Sequence, residues 1–199
     1  MSVDGAFGSD PLAWFRASFA RAQQSESFDP CRAALATVGA DGLPHVRFVL
    51  VRRVDERGFA FFTNFGSDKA QQLSALPRAA LAYHWSSISE QVRIEGAVER
   101  VSDAEADAYF ATRPRASQLS AWASRQSRAI ESRAVLDSAY ATIEARFADA
   151  AVVPRPAFWG GYRVVPTRIE LWLGHDARLH DRWSFVREDE AWRMTRLQP

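Results

Sequence analysis

From Arg32 onward this chain of 199 residues is written in short apolar runs separated by turns, and that spacing limits its possible folds more than any other feature. AALATVGA at 33–40 is followed by Asp41-Gly42 and then by HVRFVLVRRV at 45–54, the pattern of a β-hairpin closed by a DG turn. GFAFFTNF, AALAYHW and QVRIEGAVERV continue the series, and beyond Pro154 and Pro156 it resumes with YRVV, RIELWL, RWSFVR and AWRMTRL. Parallel neighbours would need a crossover between each pair. One short helix, Asp68 to Leu76, is the only such insertion among the early runs, so the pattern predicts a mainly β fold, an antiparallel barrel with flanking helices. No G-x-G-x-x-G or P-loop is present to suggest a doubly wound nucleotide fold.

The helices announce themselves by their first residues. Asp10-Pro11 ahead of Leu12, Trp14, Phe15 and Phe19 reads as an N-cap, a proline in the first turn and an amphipathic helix. Ser102-Asp103-Ala104-Glu105 is a capping box, and the helix it opens should run through Tyr109 until Pro114 stops it. A further helix is expected from about Ser132 to Phe147. No repeat or linker divides the chain, so 1–199 is expected to form one domain, with 1–9 a loose arm.

Lys and Arg total 25 against 24 Asp and Glu, a net charge of +1, which gives no electrostatic case for wrapping nucleic acid or docking on an anionic membrane. Neither a secretory signal nor a membrane span is drawn in the sequence. Cys31 is the single cysteine, so no intrachain disulfide forms and a cytoplasmic setting is expected. The histidines at 45, 84, 175 and 180 lack a ligand spacing, and no metal site is expected.

Anion binding must therefore come from local clusters. Gly66-Ser67-Asp68-Lys69 follows a strand and opens a helix, so free N–H groups, a hydroxyl and an ammonium are available to a phosphate; the plainer alternative is a Ser cap with a solvated Lys. Arg47, set among Val46, Phe48, Val49 and Leu50, must reach solvent or an anion, and Arg52, five residues on, should face the other way. Arg178, His180 and Arg182 alternate in RLHDR; an extended segment would line them up as a cationic, proton-exchanging surface, or as a solvated strand face. Tyr109, Arg113 and Ser117 recur every four residues, but with the helix ending at Pro114, Ser117 should come from the following turn; the trio suits a phosphate monoester. Trp172 and FWGG at 158–161 read more simply as core aromatics beside a backbone kink.

Taken in order, RFVLVR at 47–52, FFTN at 61–64, GSDKA at 66–70, QVRIEG at 91–96, YFATRPRASQ at 109–118, SRQS at 124–127, FWGGYR at 158–163, LWLGHDARLHDR at 171–182 and the closing RLQP resemble the pyridoxamine 5'-phosphate oxidase family. The likeness covers nearly all of the chain after Asp10, and RPRxSQ and RLHDR are its most specific elements. It implies an FMN-binding split β-barrel working as a homodimer, with sites shared between two subunits. By this resemblance FMN is held by Arg47, Phe48, Val49, Leu50, Val51 and Arg52, by Phe62, Thr63, Lys69 and Gln91, by Gln126 and Ser127, and by Trp172 and Arg182. The substrate contacts carry over as Arg52, Tyr109, Arg113 and Ser117 around a phosphate, with Arg178 and His180 over the pyridine ring as the catalytic pair.

Three positions depart from the family's habit: Asp68 stands where a second phosphate-binding arginine is usual, Arg52 replaces a lysine and Phe62 a tyrosine. The residues before Asp10 also lack an Arg and Tyr pair that some members fold over the substrate. The resemblance implies oxidation of pyridoxine or pyridoxamine 5'-phosphate to pyridoxal 5'-phosphate, with O2 reduced to hydrogen peroxide. Its rivals are a related flavin oxidase of the phenazine-pathway type and a non-catalytic flavin- or haem-binding split barrel.

Overall fold

The computed structural model describes residues 10–199, so the expected arm at 1–9 lies outside the described residues. Helix α1 (Pro11–Ser25) starts as its cap signals require: the Asp10 carboxylate accepts the Leu12 N–H at 2.9 Å, and Pro11 opens the first turn. Then follow β1 (Arg32–Val38), β2 (Pro44–Asp55), β3 (Gly58–Asn64), α2 (Asp68–Ala75), β4 (Arg78–Trp85) and β5 (Glu90–Arg100). The Asp41-Gly42 turn joins β1 to β2, with Gly42 at φ +80°, a conformation that costs a glycine nothing. The second half holds α3 (Asp103–Thr112), α4 (Arg115–Ala123), α5 (Arg133–Arg146), β6 (Trp159–Leu173), β7 (Asp181–Glu188) and β8 (Ala191–Leu197).

All strand pairings are antiparallel, in the order β3-β2-β1-β4-β5-β6-β7-β8, and an added β3–β6 pairing closes the first six into a barrel. Closure removes the sheet edges that β3 and β6 would otherwise leave open. β7 and β8 extend the sheet beyond the barrel. Where YRVV and RIELWL read as two strands, the structure has one, because Pro166 sits at a bulge opposite Gly96 and the chain bends there without leaving the sheet.

The barrel interior is apolar, with Leu35, Phe59, Phe61, Leu81, Ile94, Val164 and Ile169 buried. α1 covers one end: Phe15 meets the rings of Phe59, Tyr83 and Trp85 at 5.0 to 5.7 Å, and Trp14 packs on Trp183 at 5.2 Å. A second cluster, Phe110, Leu119, Phe147, Val153 and Trp159, fastens α3, α4 and α5 to the start of β6. Among the described residues no helix is long and apolar enough to cross a membrane.

Two details of the helical region differ from expectation. Pro114 does end α3, yet a new helix begins at Arg115, so Ser117 belongs to the first turn of α4 and not to a loop. Proline cannot continue a helix but is well suited to begin one, since its missing N–H is one that a first turn leaves unpaired. The Ser102 hydroxyl caps α3 by accepting the Glu105 N–H at 3.2 Å, whereas the Glu105 carboxylate is drawn to arginines outside the helix.

Gly96 is where β5 approaches the bulge most closely, and a Cβ there would stand 1.9 Å from the Val165 carbonyl oxygen. Backbone atoms cannot step aside as a flexible side chain can. Gly96→Ala is expected to lower unfolding free energy by more than about 2 kcal/mol, read as a drop in the urea midpoint at unchanged slope.

Candidate active site

The β2 backbone alternates as the sequence requires. Arg47, Val49 and Val51 turn towards the barrel, while Val46, Phe48, Leu50 and Arg52 turn outward, so Arg47 and Arg52 do lie on opposite faces. Arg47 is held from within: its guanidinium donates to the Leu35 carbonyl, to Thr37 Oγ1 and, at 2.9 Å, to Gln72 Oε1 of α2. Arg52 pairs with Asp29 at 2.8 Å.

A cavity of about 330 Å³ opens against this outer face of β2. Phe48, Val49, Leu50 and Arg52 form one wall, Phe62, Thr63 and Lys69 a second, and Tyr109, Arg113 and Gln126 a third, with Trp159 at the base. Ten of the expected site residues thus come together although their positions run from 48 to 126.

Lys69 is the most informative of them. It is only 9% exposed, so it is not the solvated lysine of the plainer reading, and Ser67 takes the N-cap position without a side-chain cap bond. The Lys69 ammonium donates to Thr63 Oγ1 at 3.2 Å, Gln126 Oε1 at 3.3 Å and Ser67 Oγ at 3.4 Å, all of them neutral. Burial, and then the Arg47 charge, push its pKa below the ordinary 10.5, against a smaller opposing pull from Asp68. An ammonium held this way is short of an anion. Asp68 itself is exposed, and its N–H donates to Ser127 Oγ at 3.2 Å.

Arg113 gives the same reading by other means. Its guanidinium lies 4.7 Å over the Trp159 ring, burial pushes its pKa down, and Nη1 is buried without a hydrogen-bond partner. Tyr109 stacks on Phe62 with centroids 4.0 Å apart, so a Phe at 62 makes a flat aromatic wall without a hydroxyl to satisfy. Two cations short of partners in one cavity fit a ligand carrying phosphate, and the aromatic wall fits flat rings. Ser117 does not line this cavity; Ser120, Ala121 and Ser124, further along α4 and just past its end, do.

Gln91, Trp172, His180 and Arg182 form a separate group on and beside β5, β6 and β7, while Arg47 and Val51 stay on β2, and Ser127 lies against the start of α2. Gln91, Trp172 and Arg182 are cross-strand partners in one row. The His180 ring sits 4.5 Å from that of Trp172, and both line a second cavity of about 350 Å³ together with His84, Ser86 and His175. Trp172 is therefore half-buried at a cavity and not a core residue. RLHDR is not extended: Ala177 and Arg178 have φ of +54° and +61° in a 3-10 turn, so Arg178 leaves the row that Arg182 joins. The turn lets the His175 N–H donate to His180 Nδ1 at 3.1 Å, which assigns the ring proton of a neutral His180 to Nε2. Arg182 is oriented by Glu170, which accepts from its Nε at 3.1 Å and its Nη2 at 2.8 Å.

The family model described as pyridoxamine 5'-phosphate oxidase matches residues 22–147, and the one described as the pyridoxine 5'-phosphate oxidase C-terminal dimerisation region matches residues 159–199. The chain belongs to the pyridoxamine 5'-phosphate oxidase family. It is 54% identical over 190 residues to the pyridoxine/pyridoxamine 5'-phosphate oxidase of Anaeromyxobacter dehalogenans, covering 96% of each chain. To the protein of that name from Rubrobacter xylanophilus it is 50% identical over 199 residues, covering all of this chain and 91% of the relative. Among solved structures, PhzG from Burkholderia lata in complex with tetrahydrophenazine-1-carboxylic acid matches over the full length of both chains, with a TM-score of 0.89 and 28% identity. A pyridoxamine 5'-phosphate oxidase-related, FMN-binding protein from Nostoc punctiforme shares the fold, with a TM-score of 0.76 and 18% identity over 96% of this chain.

Within this oxidase family fold, several site residues gave little warning in the sequence. Asp29 and Glu170, which fix Arg52 and Arg182, look like ordinary surface carboxylates until the strands are paired. Arg163 had a signal: like Arg47 it is an arginine flanked by strand-forming apolar residues, and it is 1% exposed.

Because folding depresses the Lys69 pKa, the unfolded chain holds the proton over the interval between the depressed value and 10.5. The unfolding free energy of wild type relative to Lys69→Met, measured without bound cofactor, should therefore rise as pH climbs through that interval. Inorganic phosphate should raise the thermal midpoint of the wild type, and that of Lys69→Met by less, the remainder coming from Arg113.

Proposed function

We propose that this oxidoreductase converts pyridoxine or pyridoxamine 5'-phosphate to pyridoxal 5'-phosphate as an FMN-dependent homodimer, with O2 as electron acceptor and hydrogen peroxide as by-product. The observation that carries the reading is the pair of anion-deficient cations, Lys69 and Arg113, that line one aromatic-sided cavity. A phosphorylated flavin and a phosphorylated pyridine would supply one phosphate each.

Lys69, with Thr63 and Gln126 around it, holds the FMN phosphate, and the outward backbone of Phe48 to Leu50 borders the ring system. Arg47 braces β2 against α2 behind that seat. Arg113, Tyr109 and Arg52 receive the substrate phosphate, and fixing that remote group reduces the orientational freedom of the reacting carbon. When bound, FMN would supply two-electron redox chemistry between the substrate C4' carbon and O2. The alcohol loses two electrons and two protons to give the aldehyde directly, whereas the amine loses the same to give an imine that water hydrolyses to the aldehyde with release of ammonia; the chain's task is placement more than strong base catalysis.

Arg178 and His180 serve that placement over the pyridine ring, with His180 presenting Nε2–H. On one subunit His180 borders a different cavity from Lys69 and Arg113, so the reading requires a second copy. The outer face of β2 is consistent with one: Val46 and Phe48 are 69% and 71% exposed on an apolar strip beside the cavity. On this reading, pairing two copies would bring the Trp172, His180 and Arg182 group of one subunit to the Lys69 cavity of the other. Relatives at 54% and 50% identity named for the B6 phosphates, against 28% for the phenazine protein, favour the phosphorylated pyridine as substrate.

The test is to purify the protein, identify its chromophore by mass and follow peroxide release with both B6 phosphates and a phenazine precursor. Turnover with a B6 phosphate is expected. Arg113→Ala should raise KM at least about thirtyfold with flavin retained, and Arg178→Ala should depress kcat more than flavin content. Faster turnover of the phenazine precursor, or unchanged kinetics in both variants, would overturn the assignment.

A further inference from the structure

Helix α3 carries Tyr109 and Arg113 to the cavity, yet little apolar packing holds it: of its ten residues only Ala106 and Phe110 are buried. Two buried side chains determine which face points inward. Tyr109 adds its stack on Phe62 and Trp159, and a rotation or slide of the helix by a fraction of a turn would carry that ring and the Arg113 guanidinium off Trp159.

Ionic contacts oppose such a shift: Arg155 pairs with Asp103 and Asp107 on one side of the helix, and a second group lies on the stripe that reaches the cavity. Glu105, Tyr109 and Arg113 are spaced by four and share one stripe of α3 and its C-terminal cap. On the facing strand, Trp159 and Arg163 are likewise spaced by four and share one face of β6. The stripe and the strand meet at both ends, since Arg113 and Tyr109 pack on Trp159 while Arg163 Nη2 donates to Glu105 Oε1 at 2.8 Å. Arg57 Nη2 donates to the same oxygen at 2.8 Å and Arg53 Nη1 at 3.2 Å, so one carboxylate gathers arginines from β2, the β2–β3 turn and β6. Asp55 and Glu99 stand near Arg163 at 3.4 and 3.6 Å and share its charge.

Chiefly through the hydrogen bond from Arg163, the Glu105 carboxyl is held at a pKa of about 2, so it stays ionised wherever the enzyme works. Arg163 is 1% exposed and its Nε has no partner, so the desolvation cost of burying it offsets much of the attraction. A pair of this kind contributes more to geometry than to net stability.

We propose that Glu105 and Arg163 are positioning residues for the substrate phosphate, setting the rotation and axial register of α3 on β6 and so the reach of Tyr109 and Arg113 into the cavity. The proposal rests on the functional reading above, in which Arg113 grips a phosphate. It assigns to the capping-box glutamate a role beyond the helix end.

The experiment compares Glu105→Gln with wild type on pyridoxine 5'-phosphate and on unphosphorylated pyridoxine, with flavin content recorded for each preparation. KM for the phosphorylated substrate should rise about tenfold while kcat and flavin content hold, and the low turnover of pyridoxine should be unaltered. The equilibrium dissociation constant for pyridoxal 5'-phosphate should rise by the same factor. Glu105→Asp keeps the charge but pulls it back by one methylene, so a smaller rise in KM is expected; if Glu105→Gln fails to fold, this variant carries the same comparison. An unchanged KM, or an equal loss on both substrates together with flavin, overturns the proposal and leaves Glu105 a structural residue. Failure of the underlying reading shows separately, as a wild-type enzyme with no preference for the phosphorylated substrate.

Discussion

Strand β6 hydrogen-bonds to three others: β3 along its first six residues, β5 along most of its length, and β7 along its last six. That shared backbone ladder closes the barrel, because without β3–β6 pairing the sheet would end in two open edges. It also dictates where the chemistry can lie. The early part of β6 supplies Trp159 and Arg163, which receive α3, and the late part supplies Glu170 and Trp172, which organise the Gln91, Trp172 and Arg182 row. The bulge between Gly96 and Pro166 lets one strand serve both regions, bending the ladder without breaking it.

Charge in this molecule is arranged on two different plans. Around α3, arginines and carboxylates satisfy one another: Arg163, Arg57 and Arg53 meet Glu105, while Arg155 meets Asp103 and Asp107. In the cavity Arg52 has Asp29, but two other cations have no carboxylate. Lys69 has only neutral acceptors and Arg113 keeps an unpartnered nitrogen, so the folded chain holds cationic character that a ligand must complete. The paired charges lie on the same helix that ends at Arg113.

Much of the architecture was legible because it rests on local rules. The DG turn, the Asp10-Pro11 start of α1, the Ser102 cap and the stop at Pro114 each follow from the conformational limits of one or two residues, and all appear where they were expected. Misreadings came where a local rule has two outcomes. Pro114 ends one helix and also begins another, which placed Ser117 on α4; Pro166 interrupts a strand pattern but is accommodated by a bulge. In RLHDR, alternation suggested a strand, but left-handed backbone at Ala177 and Arg178 breaks it, and nothing in those side chains specifies that conformation.

What the sequence by itself determined is the strand series, the caps and turns, and the identities of the cationic and aromatic side chains, since these follow from neighbours close along the chain. Only the tertiary structure decided which of them meet. Ring closure through β3–β6 joined Phe62 and Lys69 to Tyr109 and Arg113, and set His180 and Trp172 apart at another cavity. The physical reason is that burial and pairing act through space: whether Lys69 is solvated or starved of an anion depends on Thr63, Gln126 and Arg47 closing around it, and those contacts exist only once distant segments share one sheet.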